Sequence, residues 1–137
     1  MNIIPIAALV SGTGWEAALL LFFAMIIGHA IADYPMQGAF LAKAKDRYSD
    51  SGQLFGESHP PKGLWIHALT AHSLVHAGAI WLITGSPLLA AIETLLHWFI
   101  DFAKCEGWTS FTIDQLLHIV CKAIYAIILS FGIMTVT

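Results

Sequence analysis

Charged residues are scarce in this sequence: Asp, Glu, Lys and Arg make up 11% of its 137 residues, whereas hydrophobic residues make up 58%. Soluble domains are about 25% charged and about 45–50% apolar. The shortage of charge excludes an ordinary soluble domain and indicates an integral membrane protein, which we expect to form one domain over residues 1–137. The net charge of −3 and the lack of a basic stripe predict no nucleic-acid partner.

Cysteines are few, and a basic leader is lacking. Cys105 and Cys121 form no C-x-x-C motif, so neither a disulfide framework nor a Cys-type structural zinc site is expected. The start, "MNIIPIAALVSGTGW", has no basic n-region. We therefore expect no cleaved signal peptide and interpret the first long apolar run as a retained membrane span.

Four apolar segments are long enough to cross a bilayer, which takes about 20 residues. The sequence predicts an all-α, polytopic membrane protein, a four-transmembrane-helix bundle with spans over about 15–34, 64–84, 87–104 and 113–135. Ser86 and Pro87 predict the start of the third span, as N-cap and first helical residue. Capping boxes that begin at Thr13 and Thr112 predict the starts of the first and fourth spans.

Basic residues are concentrated in two connections. They are Lys43, Lys45, Arg47 and Lys62 in the long loop 35–63, and Lys104 beside the short loop 105–112. The positive-inside rule places both loops in the cytoplasm and both termini on the outer side of the membrane. A short interfacial helix is expected near 36–47, with its lysines and arginine on the polar face.

Each predicted span carries one pair of polar residues spaced i, i+4. We call the eight residues the His/Asp cluster: His29 and Asp33, His72 and His76, His97 and Asp101, Asp114 and His118. The spacing places both members of a pair on one helix face, one turn apart. Because an α-helix rises about 1.5 Å per residue, all four pairs are expected in one layer near the cytoplasmic side. Ionisable residues at membrane depth normally face the bundle interior and have a function there.

Five imidazoles and three carboxylates facing one another predict a metal site. Nitrogen and oxygen donors of this kind suit Zn, Fe, Mn or Ni. Eight ligands exceed the needs of one tetrahedral zinc and match two ions about 3.5–4 Å apart. The sequence therefore predicts two divalent metal ions, with zinc as first choice, bound by the His/Asp cluster. The structural alternatives are interhelical hydrogen bonding for a single pair and helix-dipole stabilisation for Asp114 alone.

Other polar residues in and near the spans are candidates for catalysis or for support of the ligands. Glu93 lies one turn before a predicted ligand and is a candidate general base or ligand partner. Lys122, one turn beyond another ligand, would stabilise negative charge on a substrate or neutralise the acidic cluster. Gln37 and Gln115, at the cytoplasmic mouth, are expected to hydrogen-bond the ligands. The remaining histidines, expected away from the cluster, are His59 in the polar loop and His67.

Four motifs are familiar as a set: "HAIADYPMQ" (29–37), "HALTAHSLVH" (67–76), "HWFIDFAK" (97–104) and "FTIDQLLH" (111–118). They resemble a family of small integral membrane proteins from bacteria and their phages, catalogued as a domain of unknown function. The resemblance covers about residues 20–125 and rests on an H-x-x-x-D-[FY]-x-x-Q opening and a D-Q-x-x-H closing motif. It implies a membrane location, here a bacterial inner membrane, and marks the His/Asp cluster with Gln37 and Gln115 as the family's polar positions. It implies no activity.

The leading functional hypothesis is a metal-dependent hydrolase that acts on a lipid or lipid-linked substrate reaching the site from the inner leaflet. One alternative is a di-iron oxygenase or desaturase, which would use the same ligands. Another is a metal-ion or proton transporter, which the dry outer halves of the spans disfavour unless a pore forms between subunits of a homo-oligomer. A bis-histidine haem protein is disfavoured because aspartate accompanies nearly every histidine of the cluster.

Overall fold

The computed structural model of the protein describes residues 4–10, 13–49 and 61–133. These residues form no strand and six helices: α1 (Ile6–Leu9), α2 (Trp15–Asp33), α3 (Gly38–Ala44), α4 (Leu64–Thr84), α5 (Pro87–Cys105) and α6 (Phe111–Ser130). The all-α prediction is therefore confirmed. Helix α3 occupies the region in which a short interfacial helix is predicted, whereas His59 lies outside the described residues.

Three of the long helices, α2, α4 and α6, are long and apolar enough to span a membrane. Helix α5 has 19 residues, but it carries Glu93, Asp101 and Lys104, so its composition alone does not identify a span. The fourth span, expected over 87–104, stays a prediction.

The helix starts agree only partly with the predicted caps. The start of α5 is confirmed, because the Ser86 side chain accepts a hydrogen bond from the backbone of the third helical residue. The Thr13 capping box is wrong, since α2 begins directly after Gly14 and has no side-chain cap. The Thr112 box is also wrong, because the Ser110 hydroxyl caps α6 two residues earlier. An N-cap of this kind contributes about 1 kcal/mol.

The interior between the long helices has an apolar layer and a polar layer. Helix α4 packs against α2 and α5, and α6 packs against α2 and α5. The apolar layer comprises Leu21, Met25, Ile80, Ile83, Leu89, Tyr125 and Ala126. Apart from Met25, near the middle of α2, these residues lie in the N-terminal halves of α2 and α5 or the C-terminal halves of α4 and α6. Apart from His76, near the middle of α4, the His/Asp cluster lies in the opposite halves.

The outer surface of the long helices is apolar. Phe23, Trp81, Leu95, Phe99 and Leu116 are each more than half exposed. A polar interior behind a large apolar surface is the reverse of a water-soluble domain and is expected of helices surrounded by lipid.

Candidate metal centre

Each of α2, α4, α5 and α6 contributes one pair to the His/Asp cluster. Seven of the eight residues are buried, and the side chain of Asp33 is 11% exposed. The i, i+4 spacing has the expected effect, because both members of each pair lie near the centre of the polar layer. The structure thus brings all four pairs against one another.

A first group of potential ligands consists of Asp33, His72, His76 and His97. One donor atom from each residue lies within 4.8 Å of the donor atoms of the other three. Asp33 Oδ1 is 3.3 Å from His72 Nε2 and 3.4 Å from His76 Nε2. Four N and O donors at this separation match the number of ligands of a tetrahedral zinc site.

A second group consists of His97, Asp101 and His118. Asp101 Oδ1 is 3.7 Å from His118 Nε2, and Asp101 Oδ2 is 3.9 Å from His97 Nε2. His97 belongs to both groups, and Asp101 Oδ2 also lies 3.3 Å from His72 Nε2. The two groups are therefore neighbours and together contain six of the eight predicted ligands.

Several ring nitrogens of these groups are buried without a hydrogen-bond partner among the described residues. They include the Nε2 atoms of His72, His76, His97 and His118. Buried polar atoms nearly always have a partner, so four unpaired nitrogens facing two carboxylates are unusual. Each can offer a lone pair to a cation, and the donor set therefore fits a divalent metal ion.

Glu93 and Lys122 form a buried pair behind His97. The Lys122 ammonium donates to Glu93 Oε1, and the same oxygen lies 3.2 Å from His97 Nδ1. A proton on Nδ1 leaves Nε2 as a lone-pair donor toward Asp101. Carboxylates orient metal-binding histidines in this way, so these contacts favour a supporting role for Glu93 and Lys122.

His29 lies outside both ligand groups. Its Nδ1 is 3.2 Å from Nδ1 of His76, and its Nε2 is 3.4 Å from Gln115 Oε1. If His76 Nε2 is a metal ligand, the proton of His76 is on Nδ1, and this N–H donates a hydrogen bond to Nδ1 of His29. The proton of His29 is then on Nε2 and points to Gln115. These two contacts allow His29 to orient the ring of His76.

Asp114 also lies outside both groups. Its Oδ2 accepts a hydrogen bond from Gln115 Nε2 at 3.2 Å and lies 3.5 Å from Lys104 Nζ. Its Oδ1 has no hydrogen-bond partner among the described residues and is 3.7 Å from His118 Nε2. Gln115 additionally donates to Asp33 Oδ2 at 2.9 Å, so it links two carboxylates of the cluster.

The position of Lys45 differs from the one predicted from the sequence. We expect this lysine on the polar face of the interfacial helix, but its side chain is only 4% exposed. The ammonium lies 2.5 Å from Asp101 Oδ2 and 3.1 Å from Oε1 of Gln37. Lys104 also points inward, with its Nζ 3.6 Å from Asp101 Oδ1. The connection after α2 therefore folds back over the cluster and contributes a cation to it.

Contacts of Arg47 hold that connection in place. Arg47 donates to Glu106 Oε2 at 2.6 Å, and its guanidinium lies over the rings of Trp65 and Phe102. The hydrogen bond to Tyr48 and the nearby Glu106 carboxylate raise the pKa of Arg47 above its usual range. These contacts tie the loop between α2 and α4 to the end of α5, two residues from Lys45.

Comparison with known proteins gives one family. A family model described as "Protein of unknown function (DUF3307)" matches residues 21–136, a stretch that includes the whole His/Asp cluster. No curated protein and no solved structure matches the chain. The resemblance to a domain of unknown function is thus confirmed.

Proposed function

Since the chain belongs to the DUF3307 family of proteins of unknown function, we propose its activity from the site alone: a membrane-embedded, metal-dependent hydrolase. The observation that carries the proposal is the convergence of four histidine Nε2 atoms, without hydrogen-bond partners in the described residues, on Asp33 and Asp101. Histidines that only connect helices would use these nitrogens in hydrogen bonds. A metal ion would instead be coordinated by their lone pairs.

The geometry supports two ions. A histidine Nε2 binds one ion, so His97 serves only one of the two groups to which it belongs. Assigning His97 to the second group gives two sets of equal composition, one aspartate with two histidines each. Three protein ligands per ion leave an open coordination position, which is typical of catalytic zinc sites. Zinc is our first choice, and Fe, Mn and Ni accept the same donors.

When bound, such ions would activate a water molecule and polarise a phosphoryl or carbonyl group. The chain must then accept a proton near the ligands. We assign this role to Asp114, because its Oδ1 is unpaired in the described structure and lies beside His118. Glu93 is less suited to accept a proton, since its Oε1 already contacts His97 Nδ1 and the Lys122 ammonium. A proton acceptor must be within hydrogen-bond reach of the reacting water.

We further propose that α5 is the fourth membrane span. It packs against α4 and α6, its acidic residues Glu93 and Asp101 are buried, and Leu95 and Phe99 are exposed. A charged residue in a span normally faces the bundle interior, and α5 follows this pattern. The bundle would then be complete with four spans.

The polar layer lies at the end of the bundle that carries Lys43, Lys45 and Arg47 of the connection 35–49 and Lys104 of α5. The positive-inside rule assigns that end to the cytoplasm of a bacterial inner membrane. A site at this depth lies near the head groups of the inner leaflet. We therefore propose a lipid or lipid-linked substrate.

Elemental analysis of protein purified without chelator tests the metal site. We expect about two divalent ions per chain, with clear losses in His72→Ala and in Asp101→Asn. His67→Ala is the matched control, because His67 is exposed on the same helix as His72. Wild-type protein with far less than one ion per chain would contradict the metal site. Equal loss in the control would show that the losses are unspecific.

A second measurement tests the reaction class. Wild-type protein in vesicles should release water-soluble head groups or phosphate from lipids, and the Asp101→Asn variant should not. Product formation that requires O₂ and bound iron would instead support a di-iron oxygenase. Loaded metal without turnover of any phosphoryl or acyl ester lipid would contradict the hydrolase assignment.

A further inference from the structure

An apolar groove of about 570 Å³ lies between α2 and α4 and is also lined by Ile6 of the short helix α1. Its walls include Ala24, Ile27, Ile31, Met36, Leu74 and Leu82. A volume of this size is within the range of about 300–1,000 Å³ typical of small-molecule sites. The groove is therefore large enough for part of a lipid.

Two glycines shape the groove in different ways. A Cβ at Gly28 would lie 3.0 Å from Ile83 Cδ1 and 3.4 Å from Ala79 Cβ, so Gly28 allows α2 and α4 to approach closely. A Cβ at Gly78 would meet nothing within 4 Å. Gly78 therefore faces open space, and a larger side chain there would enter the groove without displacing the helices.

The groove follows α2 and α4 toward the end of the bundle that carries the His/Asp cluster. On α2 it extends from Ala24 to Ala32, which corresponds to about 12 Å of helix, and Met36 lines it in the turn after α2. One leaflet of hydrocarbon is about 15 Å thick, half of the bilayer core. Asp33 lies between the lining residues Ala32 and Met36, and it is the partly exposed member of the ligand groups. One end of the groove is thus beside the site.

The charges around the site favour an anionic ligand. Four carboxylates and three lysines surround it: Asp33, Glu93, Asp101, Asp114, Lys45, Lys104 and Lys122. With neutral histidines they leave one net negative charge. Two divalent ions would change this to three positive charges, which a phosphoryl group would help to neutralise. Lys104, 25% exposed, is the most exposed of the three lysines.

We propose that the α2–α4 groove holds one acyl chain of an anionic phospholipid, with its phosphoryl head group beside Asp33. The head-group part rests on the proposed metal-dependent function, whereas the groove does not. A phospholipid bound in this way enters from the surrounding leaflet and presents its head group to the site without leaving the membrane. The groove and the site together would then select a lipid that has an acyl chain and an anionic head group.

Photo-crosslinking in phosphatidylcholine nanodiscs tests this proposal. The probe is a trace of phosphatidic acid that carries a diazirine at the end of one acyl chain, and labelled peptides are mapped by mass spectrometry. We expect labels on α2 and α4 around Ile27 and Leu82. Gly78→Leu should reduce them about tenfold, because excluding even two methylene groups from the groove lowers affinity by that factor.

Ala91→Leu is the matched control, since Ala91 is exposed on α5 outside the groove, and its labelling should equal that of wild type. Labels spread equally over the exposed faces of α5 and α6 would overturn the proposal. So would unchanged labelling of a Gly78→Leu variant with the elution profile and metal content of wild type. Equal labelling by a phosphatidylcholine probe would overturn the anionic head group.

Metal content measured on the same samples separates the two proposals. Bound metal without groove labelling means that the groove inference fails alone. Groove labelling without bound metal means that the proposed function fails, and the groove still binds a lipid chain.

Discussion

The Lys45 ammonium lies 2.5 Å from Asp101 Oδ2, the carboxylate oxygen that also faces Nε2 of His72 and of His97. A metal ion bound by Asp101 would compete with this ammonium for the same oxygen. In the structure the lysine pairs with Asp101. If a metal ion took its place at this oxygen, the ammonium would be free to bind another anion. The residue comes from the connection between α2 and α4, so the loop is directly coupled to the site.

Replacing Lys45 with Met tests this competition. We expect the metal-free protein to be destabilised, because removing one partner of a buried ion pair costs about 3–5 kcal/mol. Zinc should restore most of the loss by taking the place of the ammonium at Asp101. The measurement is the unfolding temperature in detergent with and without Zn²⁺.

Lys43→Met is the control for this variant, since Lys43 is an exposed residue of helix α3, two positions before Lys45. It should behave as wild type in both conditions. The idea is wrong if zinc raises the unfolding temperature of both variants by the same amount.

Asp114→Asn tests the proton acceptor. We expect the variant to keep its metal ions, because Asp114 lies outside both ligand groups, and to lose activity by about 10²–10⁴-fold. Glu16→Gln is the control, since it neutralises an exposed carboxylate of α2. Loss of metal in the Asp114 variant would show that it is a ligand, and full activity would exclude it from proton transfer.

The helical periodicity explains how much of the site the sequence can predict. An i, i+4 pair lies on one helix face whatever surrounds it, so the pairing and common depth of the cluster follow from local geometry. The membrane-spanning helices are predicted for a similar reason, since length and apolar composition are local properties. Family membership follows from the same motifs.

Contacts between distant parts of the chain are not predictable in this way. Lys45 is in a polar connection and is expected to be exposed, but the fold of residues 35–49 places it in the interior. The separation of His29 from the ligand groups depends on its ring contact with His76, 47 residues away. The N-caps also differ from the predicted ones, because Gly14 precedes α2 without a side-chain cap and the Ser110 hydroxyl caps α6 in place of Thr112.

Replacing Glu93 should mainly change the affinity for zinc, whereas replacing Lys122 should mainly change the stability of the fold. Glu93→Gln should lower zinc affinity about 10–100-fold, the usual effect of removing a carboxylate that orients a histidine ligand. Lys122→Met should mainly destabilise the fold, by about 3–5 kcal/mol, because it leaves a buried carboxylate unpaired. The double variant should regain stability but keep the weak affinity. Strictly additive losses of stability would contradict the pairing.

His29 and His76 should differ although both are buried histidines of the cluster. His76→Ala removes a ligand, so we expect it to lower the number of bound ions. His29→Ala removes a support, so the ions should remain, with affinity lowered about tenfold or more. Zinc titration measures the affinity for zinc, and elemental analysis of the same samples measures the number of bound ions. Loss of an ion in the His29 variant would show that His29 is itself a metal ligand.

Chemical labelling at the two ends of α5 tests the four-span topology directly. Pro87 begins α5 at the turn after α4, and Trp108 follows its other end; both are exposed. After replacement of Cys105 and Cys121 by serine, single cysteines at these positions can be labelled in spheroplasts with a membrane-impermeant maleimide. If α5 crosses the membrane with its C-terminal end inside, Pro87→Cys should react in intact spheroplasts and Trp108→Cys only after permeabilisation. Reaction of both cysteines from the same side would mean that α5 does not span, and the reversed pattern would place the His/Asp cluster near the outer leaflet.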